Sequence, residues 1–353
     1  MDIGPGPDSL RLRDNVREVL AAECPPDLAR QSMTDPQCWH GLWKSVVDLG
    51  WTALAGDEFG AIDLTVVLEE CGAAIAPIPL LSSVGLAAGA LKAGGAVFDP
   101  WLAEIADGAV ATLAAQVAGR RLPTPPLRID RGRLHGRAVQ VPDLARADLV
   151  VALAVCDDRT VAAVLRPGQD VRIEDTDALD PSRPLADLDV DAVPEATAAV
   201  DLEAALAVPL LAAAAELVGV ATAALRRAVE HAKSRVQFGK PIGSFQAVKH
   251  ALADNHVALE RARSLTYAAA ARLDSPATSP AAAWTAAALA KAAAGDAALN
   301  CSRTAVQVHG AIAQTWEHDM HLYIRHAWQG AALLGDSRSL YHAVGHRFVA
   351  GVP

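Results

Sequence analysis

Aromatic residues are scarce in this 353-residue chain, at 4% against 52% hydrophobic residues overall, so its core must be assembled mainly from Ala, Leu and Val. Basic residues are in the minority, with 31 Lys and Arg against 41 Asp and Glu for a net charge of −10. No long basic stripe interrupts that balance, which argues against a nucleic-acid partner. The five cysteines are scattered without a CxxC pair, a pattern that suits reduced thiols in a cytoplasmic protein. The N-terminal stretch MDIGPGPDSLRLRDNVREVL lacks the basic-then-apolar order of a secretory signal. Neither GALKAGG nor GPGPD has the strand before and helix after that a dinucleotide fingerprint or P-loop needs. No G-x-S-x-G elbow and no HExxH motif occurs. His318, His321 and His326, and the pair His342 and His346, therefore complete no recognisable zinc site.

What the chain does have is helix-forming sequence in two blocks. Residues 1–107 read as an α-helical domain, with LRDNVREVLAAE amphipathic and Asp63 a candidate N-cap for DLTVVLEECGAAIA. Residues 108–200 change to short β-like runs separated by Gly, Pro and Asp, and RIDRGRLHGRAV reads as a hairpin turning near Arg131-Gly132. Residues 201–353 return to long helices whose Ala faces allow close approach in a bundle. The run ALAVPLLAAAAELVGVATAAL approaches membrane-span length. Its Glu216 and the following Arg226-Arg227 favour a buried bundle helix instead, so no membrane span is expected. The fold class is α+β, mainly α.

One stretch breaks the helical block: HAKSRVQFGKPIGSFQAVKH, residues 231–250. A turn between helices needs its Gly and Pro, but not Arg235, Phe238 or Gln246. This stretch resembles the Arg-x-x-Phe-Gly-x-x-(I/L)-x-x-x-Gln segment of the acyl-CoA dehydrogenase family. LGWTALAGDEFGAIDLTVVLEECG is similar to that family's Pro-Glu-x-x-Gly-Gly turn and Leu-Glu-Glu helix, although the turn is eroded here. AVQVHGAIAQTWEHDMHLYIRHA resembles its late Gln-(I/V)-x-Gly-Gly segment. The likeness covers nearly the whole chain, is strongest after residue 217, and draws its specificity from the order and spacing of the three pieces.

The resemblance implies an N-terminal helical domain, a small middle β domain and a C-terminal four-helix bundle. It also implies flavin adenine dinucleotide (FAD) lying across a subunit interface, with an acyl-CoA as substrate and a soluble electron-transfer flavoprotein as acceptor. Carried over by motif, Arg235 and Phe238 would meet the diphosphate and adenine of a neighbour's cofactor, and Gln246, Gln307 and Gly310 would complete that pocket. A guanidinium suits the task because it presents several fixed donors to phosphate oxygens. The plainer alternative is a surface Arg and a core Phe at an ordinary helical turn.

Other family parts are missing. TLAAQVAGRRLPTP stands where the Ser-Glu-Pro-x-x-Gly-Ser-Asp loop belongs. Gln140 and Pro142 replace the Trp and hydroxyl residue of the strand against the flavin ring. Leu334 occupies the position of the catalytic Glu, which removes the α-proton of the substrate. The alternative family position for that base, at the start of the first bundle helix, holds Pro209, and the neighbouring Arg is Leu210. Asp336 is either a displaced base or a solvated carboxylate at a helix end.

What remains is what one subunit offers to its neighbour's cofactor. This predicts one half of a heteromeric acyl-CoA dehydrogenase, paired with a related subunit that keeps the base and the flavin-ring contacts. Two alternatives stay open: a self-sufficient homo-oligomer using Asp336, and a non-catalytic scaffold.

Overall fold

The computed structural model describes residues 4–56 and 58–352. Asp57, the first residue of the DEFGAID turn, lies outside them. The N-terminal layer comprises α1 (Pro7–Glu23), α2 (Pro26–Gln31), α3 (His40–Asp48) and α4 (Ala61–Ala74). A helical stretch follows, π-helical over Leu81–Ala88 and passing through α5 (Gly89–Leu91), and a break at Gly95 (φ 68°, ψ −159°) separates it from α6 (Asp99–Ala106). Asp63 is not the N-cap of α4. The helix begins three residues earlier than its position predicts, Gly60 is the cap, and Asp63 accepts from the Gly60 N–H at 3.3 Å. The next two free amides, of Ala61 and Ile62, are satisfied from the bundle by Asp274 at 2.6 and 3.2 Å. Sequence reading missed this because the capping residue is distant in the chain.

The middle of the chain folds into one sheet with strand order β6-β7-β3-β2-β4-β5-β8, while β1 (Ala111–Ala114) pairs with β4 in parallel. The remaining strands are β2 (Leu127–Asp130), β3 (Arg133–Pro142), β4 (Leu149–Cys156), β5 (Arg159–Leu165), β6 (Val171–Thr176), β7 (Leu185–Ala192) and β8 (Ala196–Ala199). The β2–β3 hairpin turns at Arg131 (φ 51°) and Gly132 (φ 77°), both left-handed as a two-residue turn requires. Strands β6 and β8 carry no clean alternation of their own and were not expected.

The bundle is α7 (Leu202–Ser234), α8 (Gln246–Leu273), α9 (Pro280–His309) and α10 (Met320–Ala332), with α11 (Ser337–Val349) packed along α9. Helix α7 is long and apolar enough to cross a membrane, but 89% of its most apolar window is buried inside the protein. Small residues set its packing. At Gly219 an added Cβ would lie 1.8 Å from the Glu69 carbonyl oxygen, and at Gly72 one would lie 2.0 Å from that of Glu216. Helices α4 and α7 therefore cross backbone on backbone. Ionic contacts fasten the same region: Arg17 grips Glu70 through two nitrogens at 2.6 and 3.0 Å, and Glu69 accepts from Arg263 at 3.2 Å and Tyr267 at 2.9 Å. The Glu-Glu of the α4 motif is thus the seam between the N-terminal layer and the bundle.

Candidate functional site

Two regions carry the residues that the sequence singles out, and they differ in character. The first is the end of the bundle where α7 stops. Arg235 is the C-cap of α7, and a short hairpin of β9 (Val236–Gln237) and β10 (Lys240–Pro241) follows it. Phe238 sits at the hairpin tip with φ 53° and is 89% exposed. It touches the edge of Phe245 at 6.0 Å rather than entering a core. Gln246 opens α8, Gln307 lies in the last turn of α9, and Gly310 ends that helix at φ 73°. All five residues are exposed. The end of α9 lies beside that of α7, because the rings of His231 and His309 stack at 4.3 Å. Among the described residues no carboxylate meets the Arg235 guanidinium, and no side chain binds the Gln246 or Gln307 amide.

An unpaired guanidinium, an exposed aromatic face and two free amides fit an anionic, aromatic ligand such as the diphosphate and adenine of FAD. The fit is to something held from outside, since none of the described residues covers the cluster.

The second region is a cavity of about 430 Å³ between the sheet and α10. Its walls are largely apolar, from Leu86, Leu113, Val139, Leu179, Leu333 and Leu334, with Trp328 at the side. Leu334 is buried, with φ 56°, and Gly335 follows at φ 109°. This left-handed pair reverses the chain between α10 and α11. Leu334 therefore presents a hydrocarbon to the cavity at the position of the family Glu. Pro209 is buried in α7, where the missing side chain of Gly89 lets α5 approach: a Cβ there would lie 3.1 Å from the proline Cδ.

Strand β3 borders the cavity with a bulge between Ala138 and Val141, placing Gln140 at φ 54°. Its donors are already used. Val139 N–H goes to the Gln116 carbonyl at 3.1 Å, Gln140 N–H goes to Asp187 at 2.9 Å, and Pro142 has none. These positions leave the edge of a flavin ring no free amide.

Asp336 lines the cavity rim but is committed elsewhere. It is the N-cap of α11, accepting from Ser339 N–H at 2.7 Å, and it pairs with Arg121 at 2.7 Å. Burial alone would raise its pKa, but the Ser339 bonds and Arg121 hold it below the usual carboxylate value. A carboxylate so stabilised as an anion is a poor proton acceptor.

Sequence reading did not find the strongest polar feature beneath the cavity. Glu216 of α7 forms a charge-assisted hydrogen bond with Arg183 on the loop before β7, and its second oxygen lies 3.4 Å from His326 Nε2. His326 donates through Nδ1 to Asp180 at 2.6 Å, and Ser182 Oγ donates to the same carboxylate at 2.7 Å. All are buried. Burial would raise Glu216, yet Arg183 and His326 bring it down to about 2. Burial would lower His326, yet the two carboxylates push it up to about 9. The clue in the sequence is a lone Glu in an apolar helix, which demands a buried cation. The partner itself lies 33 residues earlier in the chain, on a loop with no helical or strand periodicity.

Known proteins resemble this chain in both sequence and fold. Residues 201–347 match the family described as "Acyl-CoA dehydrogenase, C-terminal domain". The chain is 34% identical over 340 residues to acyl-CoA dehydrogenase IpdE2 of Mycolicibacterium smegmatis, covering 93% of this chain and 94% of that protein. Among solved structures it resembles the ChsE4–ChsE5 complex of Mycobacterium tuberculosis, with a TM-score of 0.87, 26% identity and 100% of both chains covered. It also resembles a Tcur3481–Tcur3483 steroid ACAD, with a TM-score of 0.88, 26% identity and 98% of both chains covered.

Proposed function

Because the chain belongs to the acyl-CoA dehydrogenase family, we propose that it is the cofactor-clamping half of a heteromeric, FAD-dependent acyl-CoA dehydrogenase. Arg235, Phe238, Gln246, Gln307 and Gly310 hold the diphosphate and adenine end of FAD bound mainly by a related partner subunit. That partner supplies the carboxylate that removes the α-proton, together with the contacts to the flavin ring. When bound, FAD accepts the β-hydride of the acyl thioester. The role of this chain is to neutralise phosphate charge and to order the cofactor. Electrons then pass to a soluble electron-transfer flavoprotein in the cytoplasm, and the substrate is a fatty-acyl or steroid side-chain CoA thioester.

One observation carries this reading: the five residues assigned to the clamp are all exposed, with no carboxylate of the described residues on Arg235, while the cavity carries Leu334 where the family base is expected and its β3 amides are already bonded. The names of two structural neighbours, a ChsE4–ChsE5 complex and a Tcur3481–Tcur3483 steroid ACAD, support a two-chain assembly.

The test is to purify the chain alone and with each related partner, and to compare flavin absorbance with protein content. A colourless lone chain and a pair carrying one flavin per two chains is the expected result, with Arg235→Ala lowering the flavin content of the pair. One flavin per lone chain, bleached by an acyl-CoA, overturns it and favours a homo-oligomer. Unchanged flavin content and activity in the Arg235→Ala pair favours a scaffold.

A further inference from the structure

The end of the bundle holds more than the five residues carried over by motif. His231 lies one turn before Arg235 on α7, a spacing that puts both side chains on one helix face. Its ring stacks on that of His309 at 4.3 Å, and the His309 ring meets that of His318 edge-on at 4.8 Å. His309 stands between Gln307 and Gly310 in the chain, so the row of imidazoles runs through the exposed cluster.

The three rings are not equivalent. His309 donates through Nδ1 to the Ala305 carbonyl at 2.8 Å, which fixes its orientation. His318 accepts at Nδ1 from the Met320 N–H at 3.2 Å, so a proton arriving there would displace that bond. Among the described residues nothing is hydrogen-bonded to either ring nitrogen of His231. His231 can therefore gain a proton without breaking a bond.

We propose that His231 is a proton-linked ligand of the cofactor diphosphate: phosphate held by Arg235 draws a proton onto His231, and the imidazolium becomes a second cation facing the same group. The inference rests on the half-site reading and deepens it, adding a residue and a pH dependence to that surface.

The surroundings set the direction. His231 and His309 lie in the last turns of α7 and α9, whose C-terminal dipoles favour a positive charge. Against this, burial and then His309, Arg235 and His318 hold His231 below the ordinary histidine value, and no carboxylate of the described residues is among the groups acting on it. Asp319 acts on His318 and is itself held by Arg30 of α2 and Arg227 of α7. Glu230, Lys233 and Glu317 are exposed, and Lys240 of the hairpin lies over the Phe245 ring. An arriving diphosphate brings negative charge beside Arg235 and raises His231. Affinity is thus greatest below the free-state pKa, falls as pH rises from there to the bound-state pKa, and is level above it. The diphosphate of FAD is a diester and does not titrate in this range, so the linkage belongs to the protein.

Flavin fluorescence tests this on the co-purified pair, stripped of flavin and titrated with FAD at about pH 5.5, 6.5 and 8. The expected affinity is several-fold tighter at about pH 5.5 than at about pH 8. Calorimetry in two buffers of different ionisation enthalpy should show a fraction of a proton taken up per FAD near about pH 6.5, a measurement on the wild type that needs no variant to fold. His231→Gln should lose both effects, whereas His318→Gln should keep them. A wild-type affinity that is level with pH, no proton uptake, a pH dependence that survives His231→Gln, or one lost equally in His318→Gln overturns the proposal. Arg235→Ala binding FAD as tightly as the wild type, or flavin in the lone chain, overturns the half-site reading instead, so the two failures are distinguishable.

Discussion

Replacing Lys291 with Met removes the charge of an α9 side chain that is 1% exposed and donates to the Ala331 and Gly335 carbonyls at 3.1 and 3.4 Å, while keeping most of its volume. With its pKa lowered from 10.5 to about 7, the folded protein resists protonation that the unfolded chain accepts freely. Below about pH 7 both states are charged, and the full cost of the buried ammonium, roughly 5 kcal/mol by linkage, opposes folding. Between about pH 7 and the unfolded value, the unfolded chain binds the extra proton. Wild-type stability therefore rises with pH by about tenfold in the folding constant per unit. Above the unfolded value the cost is gone. The Met variant lacks this dependence but leaves the Ala331 and Gly335 carbonyls without a donor, an offset of about 1–3 kcal/mol. The stability gap, Met variant minus wild type, should thus be largest near about pH 6 and shrink by roughly 2 kcal/mol between about pH 7 and about pH 9. Urea unfolding of both proteins across that range measures it, and every other titrating group cancels in the difference. A gap that stays constant with pH refutes the claim that burial holds Lys291 below its unfolded value.

Other perturbations probe the remaining features. Gly219→Ala places a methyl against the Glu69 carbonyl and should cost about 3 kcal/mol or more in denaturant unfolding; a loss below about 1 kcal/mol would mean that α4 and α7 part easily. His326 has its pKa raised from 6.5 to about 9, so the stability it adds is full below the unfolded value and is lost as pH rises through about 9. The wild type should accordingly lead His326→Gln most at about pH 6 and lose that lead by about pH 9.5; parallel pH profiles would contradict it. Glu216 contributes in the opposite sense, with stability present above the unfolded carboxylate value and lost as pH falls toward about 2. Glu216→Gln should therefore flatten the acid limb of unfolding. Leu334→Glu returns a carboxylate to the cavity, yet the lone chain should gain no acyl-CoA oxidation, because the β3 amides remain occupied; measurable turnover would show that the base alone was missing.

The architecture was legible because Ala-rich helical periodicity, Gly-Pro-Asp punctuation and the 231–250 motif are local signals. The exposed cluster at the end of the bundle was legible for the same reason: Arg235, Phe238 and Gln246 sit within one short stretch. The cap of α4 by Asp274, the pairing of Glu216 with Arg183 and the placement of Lys291 behind Leu334 depend on contacts far apart in sequence. Hydrophobic period carries no information about which buried charge finds which partner. Helix α7 runs through Pro209, as the bundle-helix reading of ALAVPLLAAAAELVGVATAAL requires, and the proline sits opposite Gly89.

Arg183 stands on the loop that leads into β7 and Glu216 in the bundle, so their bond works as a rivet that pins the margin of one plate to the next. Parting the plates strands an arginine, a histidine and two carboxylates in a dry seam, at several kcal/mol for each unpaired ion. The glycine crossing of α4 and α7 rivets the third plate to the second. A chamber framed this way does not breathe by swinging its walls apart. Trp328 and Leu179, half-exposed on the cavity wall, are side chains that an entering molecule can meet while that frame stays fixed.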